Sequence, residues 1–395
     1  MRFSRIALIA LSLLLIAATL WWFRPWSPWS PSIATKLLHP EHRVENFRSM
    51  ERVFPYVTLH APEQSEPLPR AAGDLPTHFD YDGKRIATDE FLARSESTGL
   101  MVLHRGVIRG EHYWQGTQPD SRLTSWSMAK TVVASLVAIA REQGHIRSLD
   151  DRVGDYISEL DDQAWGEVSI RHLLRMSSAI DFGEIYDQRF SDINMLFYRV
   201  FLLGTPLHRA LDGLPAAGEA GQAFHYISPN SQILGWVLSE AVGEPLYQYA
   251  ERELWQPLGM QDDAIWNTDS NGTELAFCCL NASLRDYARL GQLYLQQGRW
   301  DGQQILPEGW VEKATRLHNW PANEPYRWRG YGYHLWIPED ADGEYFFNGV
   351  WGQTIWISEP HEVVIVKTSV DPDFLPNVGE MIAFMRAVSE HVSGQ

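Results

Sequence analysis

The sequence predicts an α+β fold, in which an antiparallel sheet assembled from both chain ends is flanked by helices and a large helical insertion lies between its two halves. Three observations carry this. Two strand-like runs near the front, Gly99 to His104 and Gly106 to Trp114, meet at Arg105-Gly106 and form a hairpin. The stretch from about Ser148 to Gly298 has interrupted helical periodicity. Tyr331 to Ile337, Tyr345 to Asn348, Thr354 to Ile357 and Val363 to Thr368 then read as strands, and Val378 to Val392 as a closing helix. Strands at both ends around a helical middle imply one sheet closed by the two ends of the chain.

The chain begins with an apolar run, Ile6 to Phe23, broken only by Ser12 and Thr19 and preceded by Arg2 and Arg5. Such a run is long enough to span a bilayer as a helix. Trp21, Trp22, Phe23, Trp26 and Trp29 follow it, as at a membrane interface. Residues 1–24 are therefore expected to be an N-terminal inner-membrane anchor. The two arginines would hold the N-terminus in the cytoplasm, and the body of the chain would face the periplasm or exterior. The alternative is a cleaved signal and a secreted body, although no small-residue cleavage site is evident. Residues 25–90, rich in proline and scattered charge, read as a tether and a lead-in that packs on the domain surface. Residues 91–395 are expected to form the main folded domain.

From Ser127 to Gln143, Met128, Val132, Val133, Leu136, Val137 and Ile139 recur at helical spacing, and Gly144 ends the helix. This helix opens on Ser127-Met128-Ala129-Lys130. One turn places Lys130 on the face of Ser127, and a serine hydroxyl becomes a good nucleophile only when a neighbour takes its proton. The chain has five lysines, and Lys130 alone follows a serine by three positions. Apolar flanks imply burial, where a lysine without a role would be costly. Phe224-His225-Tyr226-Ile227-Ser228-Pro229-Asn230 leads into a second apolar helix. Tyr226 can act as a general base if a cation such as Lys130 depresses its pKa. Ser228 and Asn230 offer polar contacts to substrate or to Lys130, or a helix cap. Phe346 to Gln353 places Gly349 and Gly352 at an aromatic strand edge. Close backbone approach there suits an oxyanion hole, and also a plain hairpin turn.

Other features exclude function classes. A net charge of −17 repels phosphate backbones, which argues against nucleic-acid binding. Cys278 and Cys279 are adjacent, so no disulfide framework is expected, and both read as small apolar fillers near a buried turn. There is no HExxH zinc motif and no G-x-S-x-G elbow. Lys367-Thr368-Ser369 resembles a lysine-threonine-glycine strand but lacks the glycine.

Taken together, Ser127 to Lys130, Tyr226 to Ser228 and Asn348-Gly349 resemble the family of class C β-lactamases, DD-peptidases, family VIII esterases and 6-aminohexanoate-dimer hydrolases. Ser148 to Val153, Ile170 to Leu174, Pro257 to Met260 and Arg285 to Arg289 extend the resemblance over roughly Phe91 to Val392. Gly349 to Gln353 followed by Trp356 is most like the nylon-oligomer hydrolase branch. The resemblance implies a β-lactamase/transpeptidase-like fold and a serine hydrolase acting on a small-molecule amide or ester without metal or organic cofactor. It implies Ser127 as nucleophile, with Lys130 and Tyr226 as its catalytic partners. Backbone N–H groups of Ser127 and Val350 would form the oxyanion hole. Tyr186, Ser228, Asn348, Gly349 and Trp351 would bind substrate. Two departures stand out. No lysine or histidine precedes Gly349 in the third motif, so efficient β-lactamase activity is not expected. Ala179 replaces the glycine usual after the Ser-Ser pair. The alternative function is a penicillin-binding-type sensor or DD-peptidase that acylates with little turnover. Nothing in the sequence sets an oligomeric state.

Overall fold

The computed structural model describes residues 5–319 and 329–395. Its main sheet has seven antiparallel strands in the order Arg329–Tyr331, Trp336–Pro338, Glu344–Gly349, Gln353–Ser358, Val363–Ser369, Ser97–His104, Val107–Tyr113. The chain ends meet in its middle, where Val363 pairs with His104 and Ser369 with Ser97. The front hairpin turns at Arg105 and Gly106, both with positive φ (51° and 75°), the backbone that matches strand twist. Side chains alternate between two cores as a period of two requires. Met101, Leu103, Val364 and Val366 point to the larger core, while Leu100, Val102, Val363 and Ile365 point to the smaller one. Helix Leu284–Leu295 covers the first face and helix Val378–Ser393 the second. The first helix lies close because Gly291 has no side chain. A Cβ there would come within 2.5 Å of Val364 Cγ1.

The helical insertion occurs as expected, and in it helix Ala129–Glu142 packs against helix Ser228–Val242. The first of these is buried from Ala129 to Ala140 and stops before Gly144 (φ 83°). Ser127 itself sits in a single 3-10 turn, Trp126–Met128, that precedes the helix. A second, four-stranded sheet runs Tyr56–Leu59, Ala264–Asn267, Leu280–Ala282, Leu123–Thr124. Its last strand delivers the chain to Ser125, whose N–H donates to Leu280 O at 2.8 Å.

The structure differs from the sequence expectations at four places. The run Tyr331 to Ile337 is two strands rather than one, because the chain turns at Gly332 to Leu335 and His334 takes φ 54°. The lead-in is built into the domain rather than laid on its surface. Tyr56–Leu59 pairs with Ala264–Asn267, and Phe47, Met50, Val53 and Phe54 are buried. Prolines and charges had masked those apolar residues. Cys278 and Cys279 are buried as expected but are joined by a disulfide, contrary to the argument from adjacency, with Cys279 in a left-handed backbone (φ 65°). Finally, the apolar N-terminal run forms helix Arg5–Phe23. Leu8, Ile9, Leu13, Leu14 and Phe23 on it are exposed. Among the described residues, no helix is long and apolar enough to cross a membrane, so the spanning expectation is not supported. Arg2, invoked for orientation, lies outside the described residues.

Candidate active site

The turn that carries Ser127 starts from a strained residue. Trp126 takes φ 42°, a region costly for a bulky side chain. Its carbonyl accepts from Ser125 Oγ at 2.8 Å, and its ring packs edge-on against Phe47 at 5.2 Å. The next residue, Ser127, is 9% exposed and faces a cavity. Lys130, one turn on, is fully buried. Its Nζ donates to Ser127 Oγ at 2.8 Å, to Phe277 O at 2.9 Å and to Ser228 Oγ at 3.3 Å.

Burial pushes the Lys130 amine down from 10.5 to about 7, against the Glu184 carboxylate, which favours the charged form. A lysine at that value is neutral in an appreciable fraction of molecules at neutral pH, and the neutral amine can take a hydroxyl proton. Nearby His334 is fully buried and pushed to about 3 by desolvation and by Lys130, so it stays neutral while it bonds Ser231.

Tyr226 comes from the loop before helix Ser228–Val242 and lines the same cavity. Its ring centroid lies 5.1 Å from Lys130 Nζ. Trp336 and Tyr331 hold the ring, with centroids at 5.3 Å and 6.0 Å. Ser228 opens the helix and bridges Lys130 to Glu184, its hydroxyl donating to Glu184 Oε1 at 2.6 Å. Asn230 does not reach Lys130. Its amide contacts Met176 Sδ at 3.3 Å.

Sequence reasoning missed Glu184. This buried carboxylate accepts from Ser228 N at 2.9 Å, from Ser228 Oγ and from the Tyr186 hydroxyl at 2.7 Å. It thus ties two cavity residues, Ser228 and Tyr186, together. The Phe277 carbonyl was missed as well, being a backbone acceptor invisible in a motif.

The third motif arrives on strand Glu344–Gly349. A Cβ on Gly349 would lie 2.4 Å from Ser125 O, so only glycine lets this strand end abut the turn that carries Ser127. Val350 and Trp351 follow in a tight turn, with Trp351 at φ 65°, and both line the cavity. Trp351 packs on Phe47 and lies beneath the Arg43 guanidinium. Asn348 pairs with Thr354 in the sheet and is not part of the cavity wall. Tyr186 does line it. The departure at Ala179 has a structural reading too. Its φ is 59°, a left-handed position that favours glycine.

Ser127, Tyr226, Ser228, Glu184, Tyr186 and Val350 all line one cavity of about 1070 Å³. Among the described residues its wall holds no lysine or arginine, and the Lys130 amine lies behind Ser127.

The Beta-lactamase family profile matches residues 87–388. The 6-aminohexanoate-dimer hydrolase of Paenarthrobacter ureafaciens is 25% identical over 297 residues, covering 72% of this chain and 75% of that protein. A putative 6-aminohexanoate-dimer hydrolase from Bacillus anthracis superimposes with a TM-score of 0.82 at 22% identity, over 91% of this chain and 96% of that one. EstCE1, a hydrolase with promiscuous acyltransferase activity, superimposes at 0.61 with 16% identity, over 76% and 96% of the two chains.

Proposed function

The chain belongs to the Beta-lactamase family, and from that premise we propose that it is a serine hydrolase cleaving an amide or ester bond through an acyl-enzyme on Ser127. The observation that carries the reading is the 2.8 Å hydrogen bond between Ser127 Oγ and a fully buried Lys130 whose amine is held near neutrality. Neutral Lys130 takes the Ser127 proton as Oγ bonds to the carbonyl carbon. The backbone N–H groups of Ser127 and Val350 stabilise the oxyanion. Collapse breaks the bond to the leaving oxygen or nitrogen, which receives the proton from Lys130 through Tyr226. Water then adds to the acyl carbon as Lys130 takes its proton, and the adduct collapses with cleavage of the acyl–Oγ bond while Lys130 returns that proton to Oγ, which releases the acid and regenerates Ser127 and the neutral amine. Ser228 and Glu184 hold Lys130 in place. Tyr186 and Trp351 shape the substrate wall, and Gly349 keeps Val350 beside the nucleophile turn.

In the same reading, residues 91–395 are the catalytic domain and residues 25–90 its lead-in. Helix Arg5–Phe23 associates the protein with the inner membrane, with the active site on the periplasmic or outer side. The exposed apolar side chains of that helix and the tryptophans behind it support contact with a lipid surface.

Hydrolysis by wild type and Ser127→Ala of p-nitrophenyl esters, aminohexanoate dimers, D-amino-acid amides and nitrocefin tests the function. The expected result is turnover of a neutral ester or amide by wild type only, with nitrocefin poorly cleaved. Acylation without turnover on every substrate would indicate a sensor instead. Equal turnover by both proteins would remove Ser127 from the reaction.

A further inference from the structure

We propose that the cavity is an acyl-chain cleft, and that the enzyme draws esters or amides bearing a long hydrocarbon chain from a lipid surface. The proposal rests on the serine-hydrolase reading and names the substrate class for that same site.

Three observations converge on it. The first is the wall. At about 1070 Å³ the cavity exceeds what a short acyl group fills, and it reaches from Ser127 to Phe54, Phe197, Phe201, Leu202 and Leu375. Phe54 and Phe201 stack at 3.6 Å, and Phe197 packs edge-on to Phe277, whose carbonyl holds Lys130. The Glu184 and Asp187 carboxylates also line the cavity and disfavour an anionic chain, whereas methylenes gain by entering its aromatic part.

The second observation is where the far wall comes from. Ala34, Thr35, Leu37 and Leu38 line the cavity, and they follow closely on the apolar helix Arg5–Phe23. Arg24, the residue after that helix, donates to the carbonyl of Leu202 at 2.8 Å and lies over the Trp21 ring at 5.8 Å. The end of the exposed apolar helix is thereby pinned to a segment that walls the cavity.

The third is the rim. Leu38 and Ile185 line the cavity and are 44% and 43% exposed. Phe190 (76%) and Leu203 (67%) stand beside lining segments. Isolated exposed apolar residues need no explanation, but these gather on segments of one cavity whose wall also adjoins the apolar helix. A lipid surface that receives the helix and the tryptophans would meet this rim, and an acyl chain could pass into the cleft without crossing water.

The test uses the full chain in two arms. In solution, kcat/KM is measured for p-nitrophenyl esters from C2 to C10 below their micellar concentrations. Each methylene buried on binding contributes up to about fourfold, so a rise of at least tenfold from C4 to C10 is expected. Ala34→Trp, which fills the far end, should cut the C10 to C4 ratio at least tenfold. If that variant fails to fold, the wild-type series alone decides. In the second arm, monoolein held in phosphatidylcholine vesicles should be hydrolysed to oleic acid and glycerol at a rate that follows the vesicle-bound fraction of enzyme. A flat or falling chain-length series, with Ser127-dependent turnover intact, overturns the cleft and leaves the hydrolase reading standing. Good turnover of soluble C10 ester without attack on vesicle-held monoolein overturns delivery from a surface. Turnover that survives Ser127→Ala overturns the hydrolase reading itself.

Discussion

Replacing Glu184 by glutamine should move the pH dependence of catalysis downward. Ser228 Oγ lies 3.3 Å from Lys130 Nζ and 2.6 Å from Glu184 Oε1, so amine and carboxylate are at most about 6 Å apart. At that separation, with an effective dielectric constant of about 20, the pair interacts by about 3 kcal/mol, or about two pKa units. The carboxylate raises the Lys130 value, and burial lowers it to about 7. Without the negative charge the amine deprotonates more easily, so the rising limb of kcat/KM should fall by about two pH units from its wild-type position near 7. Glutamine also turns an N–H₂ toward a group that now donates to the carboxylate, which costs about 1–3 kcal/mol of stability and disturbs Ser228. The variant should therefore be slower at pH 8. The ratio of variant to wild-type kcat/KM should be about tenfold higher at pH 6 than at pH 8, because the neutral fraction of Lys130 grows most at the lower pH. A short-chain p-nitrophenyl ester followed at the isosbestic wavelength of the product gives both profiles. A folded variant whose limb stays at the wild-type position, or rises, would refute Lys130 as the proton acceptor coupled to Glu184.

Three further outcomes follow from the same geometry. Lys130→Met should abolish turnover by at least about 10³-fold, since the nucleophile loses its proton acceptor. Its stability carries a second signature. The wild-type amine sits at about 7 folded against 10.5 unfolded, so the unfolded chain binds more protons between those values and wild-type stability rises with pH across that window. The melting temperature of Lys130→Met relative to wild type should accordingly be higher at pH 7 than at pH 10, and a constant difference would contradict the buried-amine account. Gly349→Ala would place a methyl 2.4 Å from Ser125 O; denaturant titration should find about 1–3 kcal/mol lost and steady-state kinetics about a 10²-fold fall in kcat through displacement of Val350. Ala179→Gly relieves a left-handed backbone at φ 59° and should raise the denaturation midpoint by the equivalent of about 0.5–1 kcal/mol, with activity little changed.

What could be read in the sequence was local in character. Ser127 and Lys130 meet because a single turn separates them. The front hairpin declared itself through Arg105-Gly106, and Val363–Ser369 through the β-branched run Val363 to Val366. Tyr226 and Ser228 could be named because a recurring pattern links them to Ser127. Glu184 could not, since a single carboxylate in an irregular loop has no periodicity and acquires meaning only when the fold brings it to Ser228, 44 positions away. The Phe277 carbonyl belongs to the backbone and leaves no trace in residue identity. The lead-in was misjudged because its apolar residues are spaced irregularly among prolines, although Phe47 and Phe54 brace Trp126 and the cavity wall. The strained φ of Trp126 and the bond between Cys278 and Cys279 are tertiary outcomes that local preference opposes.

In the proposed reaction Ser127 Oγ, deprotonated by Lys130, carries the acyl group. Rapid quenching of enzyme with a slowly deacylated ester, followed by peptide mass mapping, measures this directly. An acyl mass is expected on the peptide containing Ser127, forming faster as pH rises through about 7 and absent in both Ser127→Ala and Lys130→Met. An acyl group on any other residue, or one that forms equally well without Lys130, would contradict it.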